Sequence, residues 1–321
     1  MTKDRILMTT YPTAFFHRGG GEAELIDLQS NLRKFGLMVE IYGPSILPLI
    51  NYDIILHYSV VSSSIGIVRE AKNMRKKIVL LPSLWWNYIP TQSEKDVVSE
   101  FFELSDSIVF KSKAEYDNIA QHVVIDNAKV VYCRWGVDPC FDEPVDKELF
   151  KSSYNLKEYI LWAGIIEEIK NQLTAIRALK NSELPVVFIG DYRDRSYYEA
   201  CVRSAPRHFK FLPNIQPKSE MLRSAIQNCK VFLEVPLEPP GLSALEASLA
   251  LKPMVLPSGP WTDEHFGDLV QKVDPKSTSS IQKGVLAALE MSVSPELPKR
   301  TRSLHLLPQT LEPLLRVLQL G

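Results

Sequence analysis

With 321 residues, 45% of them hydrophobic and 23% charged, the chain is long enough for two ordinary domains, and its composition argues against disordered and fibrous classes. A formal net charge of −1 gives no global attraction to nucleic acid or to an anionic membrane surface. Cys133, Cys140, Cys201 and Cys229 show neither a C-x-x-C pair nor a regular spacing, which argues against a disulfide framework or a zinc site and fits a reducing cytosol.

In chain order, the opening "MTKDRILMTTYPTAFF" is strand-like and lacks the apolar core and cleavage site of a signal peptide. The first half then offers strands at "RILMTTY", "MVEIYG", "DIILHYS", "KIVLLPS", "SIVFKS" and "KVVYCR". Between the first two, residues 22–35 predict a helix, with Leu25, Ile26, Leu28, Leu32 and Phe35 on one face and Gly36 closing the end. A polar, turn-rich stretch at 136–159 reads as a linker, and the pattern restarts with "YILWAG", "PVVFIGD", "HFKFLPN", "KVFLEVP" and "PMVLPS". The tail 309–320 places Leu311, Leu314, Leu315 and Leu318 at helical spacing.

This alternation predicts an α/β fold of two Rossmann-like domains with parallel sheets facing across a cleft. The expected limits are 1–150 for the first domain, 151–300 for the second, and 301–321 for a C-terminal helix that packs back on the first. No apolar run approaches the roughly 18 residues that span a bilayer, so a soluble, cytoplasmic protein is expected.

Ligands of such sheets bind beyond the carboxyl ends of the strands, and three loops there draw attention. "HRGGGEAELIDL" (17–28) puts Gly20 and Gly21 at a helix start, where free N–H groups favour an anion. It is not a dinucleotide fingerprint, and a flexible turn explains it equally well. "LWAGIIEEIKNQLTAIRAL" (161–179) places Gly164 at a strand end and Lys170 at the start of a helix. A lysine there opposes the helix dipole unless an anion joins it; a solvated surface lysine is the plainer account. "EPPGLSALEASLALKP" (238–253) carries Glu238 before a turn and Glu246 inside the helix that follows. Ser243 and Glu246 fit a capping box, S-x-x-E, which accounts for one acid and leaves Glu238 unexplained.

Taken together, "GGGE" (19–22), "GVDPCF" (136–141), "GIIEEIKN" (164–171) and "EPPGLSALEA" (238–247) resemble, in order and spacing, the motifs of the retaining GT-B glycosyltransferases of family 4. The resemblance spans nearly the whole chain and is strongest over 160–268. It implies a metal-independent enzyme that moves a sugar from a nucleotide-diphosphate sugar to a saccharide or lipid-linked glycan, in cell-surface polysaccharide or glycoconjugate synthesis. The N-terminal domain would take the acceptor and the C-terminal domain the donor. Glu246 would hold the ribose hydroxyls and Glu238 would face the donor sugar. Pro240, Gly241, Leu242 and Ser243 would lie between them, with backbone amides receiving the diphosphate, and Gly164 and Leu212 would line the same site. Lys170 would offset charge on the leaving group. No cofactor beyond the donor substrate is implied, and the chain has no D-x-D sequence.

The chain departs from the family at several positions. The family's arginine after the glycine is Ile165, with Arg18, Arg193 or Arg195 as candidate substitutes. Pro240 removes a backbone donor. "LLPSLWWNY" replaces the usual acceptor-side histidine, His57 ends the preceding strand, and Trp135 precedes "GVD". Trp85 and Trp86 are candidates for a stacking wall or for core. Arg69, Lys72, Arg75, Lys76 and Lys77 concentrate charge at 69–77, where either peripheral contact with the inner membrane face or a solvated helix end fits. Two rival readings stay open: a non-catalytic nucleotide- or glycan-binding protein, and a nucleotide-sugar epimerase.

Overall fold

The computed structural model describes residues 4–16, 19–134 and 136–319. It divides into two compact units, Met1–Trp135 with Leu307–Gly321, and Gly136–Leu306. The first holds strands β1 (Arg5–Thr9), β2 (Met38–Ile41), β3 (Ile54–Tyr58), β4 (Lys77–Leu81), β5 (Ser107–Phe110) and β6 (Val130–Tyr132). They form one parallel sheet in the order β2-β1-β3-β4-β5-β6. The helices α1 (Gly20–Lys34), α2 (Ile65–Asn73), α3 (Gln92–Leu104) and α4 (Lys113–Ala120) connect the strands.

The strands are apolar at nearly every position because helices cover both faces of the sheet. Ile6, Met8, Ile54 and Leu56 point to one face, where they pack with Leu25, Leu28 and Leu32 of α1 and with Leu307, Leu311, Leu314 and Leu318 from the end of the chain. Leu7, Ile55, Ile78 and Leu80 alternate to the other face, against Val68, Phe101 and Ile119. Burying one such side chain contributes about 1.5–3 kcal/mol.

The second unit repeats the plan with α5 (Leu149–Tyr154), β7 (Ile160–Ala163), α6 (Gln172–Leu179), β8 (Val186–Ile189), α7 (Arg195–Ser204), β9 (Lys210–Leu212), α8 (Glu220–Asn228), β10 (Val231–Leu233), α9 (Leu242–Leu249), β11 (Met254–Pro257), α10 (Pro260–Phe266), β12 (Gln271–Val273), α11 (Thr278–Glu290) and α12 (Glu296–His305). Its parallel sheet runs β12-β11-β10-β7-β8-β9. One face packs Ile176, Leu179, Cys201, Ile281 and Val285 against Ile160, Trp162, Phe188, Val231 and Val255. The final helix, α13 (Glu312–Gln319), belongs with the first unit.

The stretch read as a linker is structured. Asp138 caps a 3-10 turn at Pro139–Asp142 by accepting Cys140 N–H at 3.0 Å, and Lys218 pairs with Asp138 at 3.1 Å. Phe141 is buried, and Val137 N–H donates to His305 O at 2.7 Å. In the basic segment, Arg69 pairs with Glu100 at 2.5 Å and Lys72 with Asp106 at 2.9 Å. Lys76 and Lys77 donate to Ile50 O and Val317 O. Among the described residues, no helix is long and apolar enough to cross a membrane.

Candidate functional site

The loops after β7 and β10 carry the residues singled out in the second unit. Gly164 ends β7 at φ +155°, and Gly190 ends the neighbouring β8 at φ +156°, both conformations that favour glycine. The two backbones touch: a Cβ on Gly190 would lie 2.1 Å from Gly164 O. Gly190 N–H donates to Leu212 O at 3.1 Å, so Leu212 enters this corner through its carbonyl.

Beyond Gly164 the chain makes a 3-10 turn, Glu168–Lys170, and then starts α6 from Asn171, which sits at φ +68°. Asn171 explains the K-N dipeptide. Its amide donates to Val235 O at 3.0 Å and Pro275 O at 2.7 Å, fastening the loops after β10 and β12 to the base of this turn. Leu237 N–H donates to Ile169 O at 2.9 Å. These ties deliver Lys170 to Glu238: Nζ and Oε1 stand 2.5 Å apart, with both side chains only partly exposed. Burial works against the lysine's charge, but Glu238, Glu234 and Glu167 outweigh it and raise the pKa above the ordinary value.

The capping-box account of Glu246 does not hold. Gly241 is the N-cap of α9, so Ser243 lies inside the helix, and its hydroxyl donates to Glu234 Oε2 at 2.9 Å. Glu234 Oε1 accepts Gly241 N–H at 2.8 Å. Leu242 and Ser243 occupy the first turn, where amides have no intrahelical partner. Pro240 is buried and Glu246 half-buried on the same helix–turn segment.

Among the candidate arginines, Arg193 pairs with Glu167 at 3.1 Å, at the edge of the Lys170 cluster. Arg195 pairs with Glu199 on an exposed surface. Ile165 uses its carbonyl to accept Gln172 Nε2–H at 2.8 Å. Arg18 and Trp135 lie outside the described residues.

In the first unit, Gly20 meets nothing that a side chain would strike, whereas a Cβ on Gly21 would touch the Tyr58 ring at 3.5 Å. That tyrosine belongs to a cluster with no counterpart in the sequence reading. Lys111, buried just after β5, donates to Glu24 Oε2 at 2.7 Å, Tyr58 OH at 2.9 Å and Ser83 Oγ at 3.1 Å. Tyr58 OH also donates to Glu24 at 2.8 Å. Beneath it, Glu115 accepts the backbone N–H groups of Lys111 and Leu84, and burial lifts its carboxyl to about 6. Glu22 accepts Tyr11 OH and, at 2.8 Å, Gly19 N–H.

His57 is a core residue. It is held between Thr9 Oγ1 at 2.8 Å and Ser64 Oγ at 3.1 Å, stacks on Phe101, and is lowered to about 4 by burial. Trp86 is buried edge-on to His122, which places it in the core rather than in a stacking wall; Trp85 is half-buried.

The fold is that of the GT-B glycosyltransferases. HepE from Anabaena, in complex with UDP and glucose, is 14% identical, with 99% of this chain and 100% of that chain covered at a TM-score of 0.79. Sucrose-phosphate synthase from Thermosynechococcus elongatus is 13% identical, with 98% of each covered at 0.81. A UDP-forming trehalose-phosphate synthase from Burkholderia xenovorans, in complex with glucose-6-phosphate, is 13% identical, with 98% and 100% covered at 0.66. No family model and no curated protein matches the sequence.

Proposed function

We propose that this protein is a glycosyltransferase that uses a nucleotide-diphosphate sugar and transfers the sugar with retention, without a metal ion. The observation that carries this reading is the Lys170–Glu238 pair at 2.5 Å, placed beside the first-turn amides of α9 at the carboxyl edge of a parallel sheet, where such folds bind ligands. Similarity in fold to HepE, crystallised with UDP, with UDP and glucose, and with UDP-glucose, supports the same donor class.

In this reading the amides of Leu242 and Ser243 receive the diphosphate, Glu246 holds the ribose and Glu238 orients the sugar. As the bond from the anomeric carbon to the diphosphate oxygen breaks, its electron pair moves onto that oxygen. Lys170 offsets the charge gained there. The acceptor hydroxyl forms the new bond to the anomeric carbon on the same face and passes its proton to the departing diphosphate oxygen. The acceptor would be taken at the carboxyl edge of the first sheet, which the Lys111, Glu24, Tyr58 and Ser83 cluster braces through its own hydrogen bonds. Membrane contact through 69–77 forms no part of the proposal, because Arg69, Lys72, Lys76 and Lys77 have partners on the chain itself.

The test is a melting-temperature titration of wild type and Glu246→Ala with UDP, GDP and ADP, with and without EDTA, followed by assay of donor turnover with candidate saccharides. A rise with one nucleotide in wild type alone, unaffected by EDTA, and sugar transfer from its donor are the expected results. Binding without turnover of any donor points instead to the non-catalytic reading.

A further inference from the structure

Glu234 has no role in the chemistry above, yet it touches two residues of the segment that would seat the diphosphate. It follows β10, is 3% exposed, and spends one oxygen on Gly241 N–H at 2.8 Å and the other on Ser243 Oγ–H at 2.9 Å. The charged groups that face it are Lys170 from the 3-10 turn and Glu238 from its own loop; Glu167, with Arg193, reaches Lys170 from beyond. From β11, Val255 O accepts Glu234 N–H at 3.1 Å.

We propose that Glu234 is a positioning residue that holds the Gly241–Ser243 turn in the shape of an anion seat and, through its own charge, sets how tightly that seat takes the donor diphosphate. The inference rests on the donor-site reading above.

The argument follows from what a carboxylate and a carboxyl can do in this place. An ionised Glu234 accepts from both groups, occupies the Ser243 proton, and competes for the charge of Lys170. A protonated Glu234 keeps the Gly241 bond through its carbonyl oxygen but donates to Ser243 Oγ. The serine's own proton is then released for a phosphate oxygen, and one negative charge leaves the neighbourhood of the incoming anion. Burial raises this carboxyl above the usual carboxylate range, against the pull of Lys170 and the two hydrogen bonds, so anion binding draws a proton to it. Lys170, itself raised, stays charged. Glutamine copies the protonated arrangement permanently, with its carbonyl facing Gly241 N–H and its NH2 facing Ser243 Oγ.

The experiment is calorimetric titration of UDP, GDP and ADP into wild type, Glu234→Gln and Glu234→Ala between pH 5.5 and 8.5. At pH 8.5, Glu234→Gln is expected to bind the preferred nucleotide about tenfold more tightly than wild type, the effect of removing one buried negative charge beside the bound anion. That ratio should fall toward one as the pH drops; titration of the nucleotide itself cancels in it. Glu234→Ala should bind more weakly than Glu234→Gln at every pH, because the turn loses both ties. Should the Gln variant not fold, titration of wild type at steps from pH 5.5 to 8.5, each in two buffers of different ionisation heat, reads the linked proton directly. Uptake beyond the nucleotide's own supports the inference, and none overturns it. A Gln-to-wild-type ratio of one at all pH values overturns the inference alone. Folded wild type that binds none of the three nucleotides overturns the donor-site reading as well.

Discussion

Lys170 Nζ lies 2.5 Å from Glu238 Oε1, although 68 residues separate them along the chain. The pair is made by ties that converge on the Asn171 side-chain amide and the Ile169 carbonyl, so each loop arrives in register with the other. With Glu234 and Glu167 also acting on this lysine, one cation balances several carboxylates, and a further anion must find its place around it.

Replacement of Lys170 by methionine should remove that balance. Transfer is expected to fall by about two to three orders of magnitude, the loss that follows removal of one preorganised electrostatic donor. Nucleotide affinity should fall with it, while Lys170→Arg retains part of both. Steady-state transfer and nucleotide titration on the same preparations check this, with circular dichroism to establish folding.

Asn171→Ala should destabilise the second unit by about 2–4 kcal/mol, combining two lost hydrogen bonds to backbone carbonyls with an alanine forced to φ +68°. Asn171→Gly keeps the backbone conformation and loses only the hydrogen bonds. It is expected to be the less damaging change in denaturant unfolding, and an order reversed from this would contradict the bracing role.

At the β7–β8 corner, Gly190→Ala and Gly164→Ala separate crowding from backbone strain. Both positions have φ near +155°, but only Gly190 faces a backbone oxygen, at 2.1 Å from its added Cβ. Gly164→Ala should cost about 1–3 kcal/mol from strain alone. Gly190→Ala, which adds the clash, should cost more and yield little folded protein; melting temperatures and soluble yield report the difference.

The first unit contains two buried groups whose pH effects oppose each other. His57 is lowered to about 4 in the fold from an ordinary 6.5, so the unfolded chain takes up the proton first. Stability from this group is complete above 6.5 and is lost as the pH falls toward 4, by about 3 kcal/mol. Glu115 is raised to about 6 from 4.5, and its contribution is complete below 4.5 and lost as the pH rises to 6, by about 2 kcal/mol. Between 4.5 and 6 the two largely offset. His57→Gln should therefore flatten the stability–pH curve between 4 and 4.5 and just above 6, and expose between 4.5 and 6 a fall in stability with rising pH set by Glu115. Urea unfolding across pH 4–8 measures both.

Much of the architecture was legible because strands buried on both faces read as continuous apolar runs: "DIILHYS" and "KIVLLPS" became β3 and β4 with little ambiguity. β12 escaped notice, since Gln271 and Lys272 in a three-residue edge strand leave no such run. Lys170 and Glu238 stood out as charges beside glycines and prolines, and the structure brings them together. Glu234 did not, because one acid inside "VFLEVP" looks like an interruption of a strand; its partner groups lie seven and nine residues on, across a turn whose closure no periodicity reveals. Lys111 was hidden in the same manner at the end of "SIVFK", with its partner Glu24 87 residues away. An acid or a lysine embedded in a run of otherwise buried residues is the signal in both cases, since a charge there requires a partner.

The placement of Leu307, Leu311, Leu314 and Leu318 in the core of the first unit has a consequence for biosynthesis. On the ribosome, residues 5–132 supply all six strands of that sheet and α1 early, but the part of the α1 face that the chain end covers lacks that cover until the region beyond 306 has been made. The second unit is contiguous in sequence and can close its core first. Order of synthesis and order of completion are thus inverted, and the nascent first half must wait with part of an apolar face open, within reach of chaperones, while the rest of the polypeptide is translated.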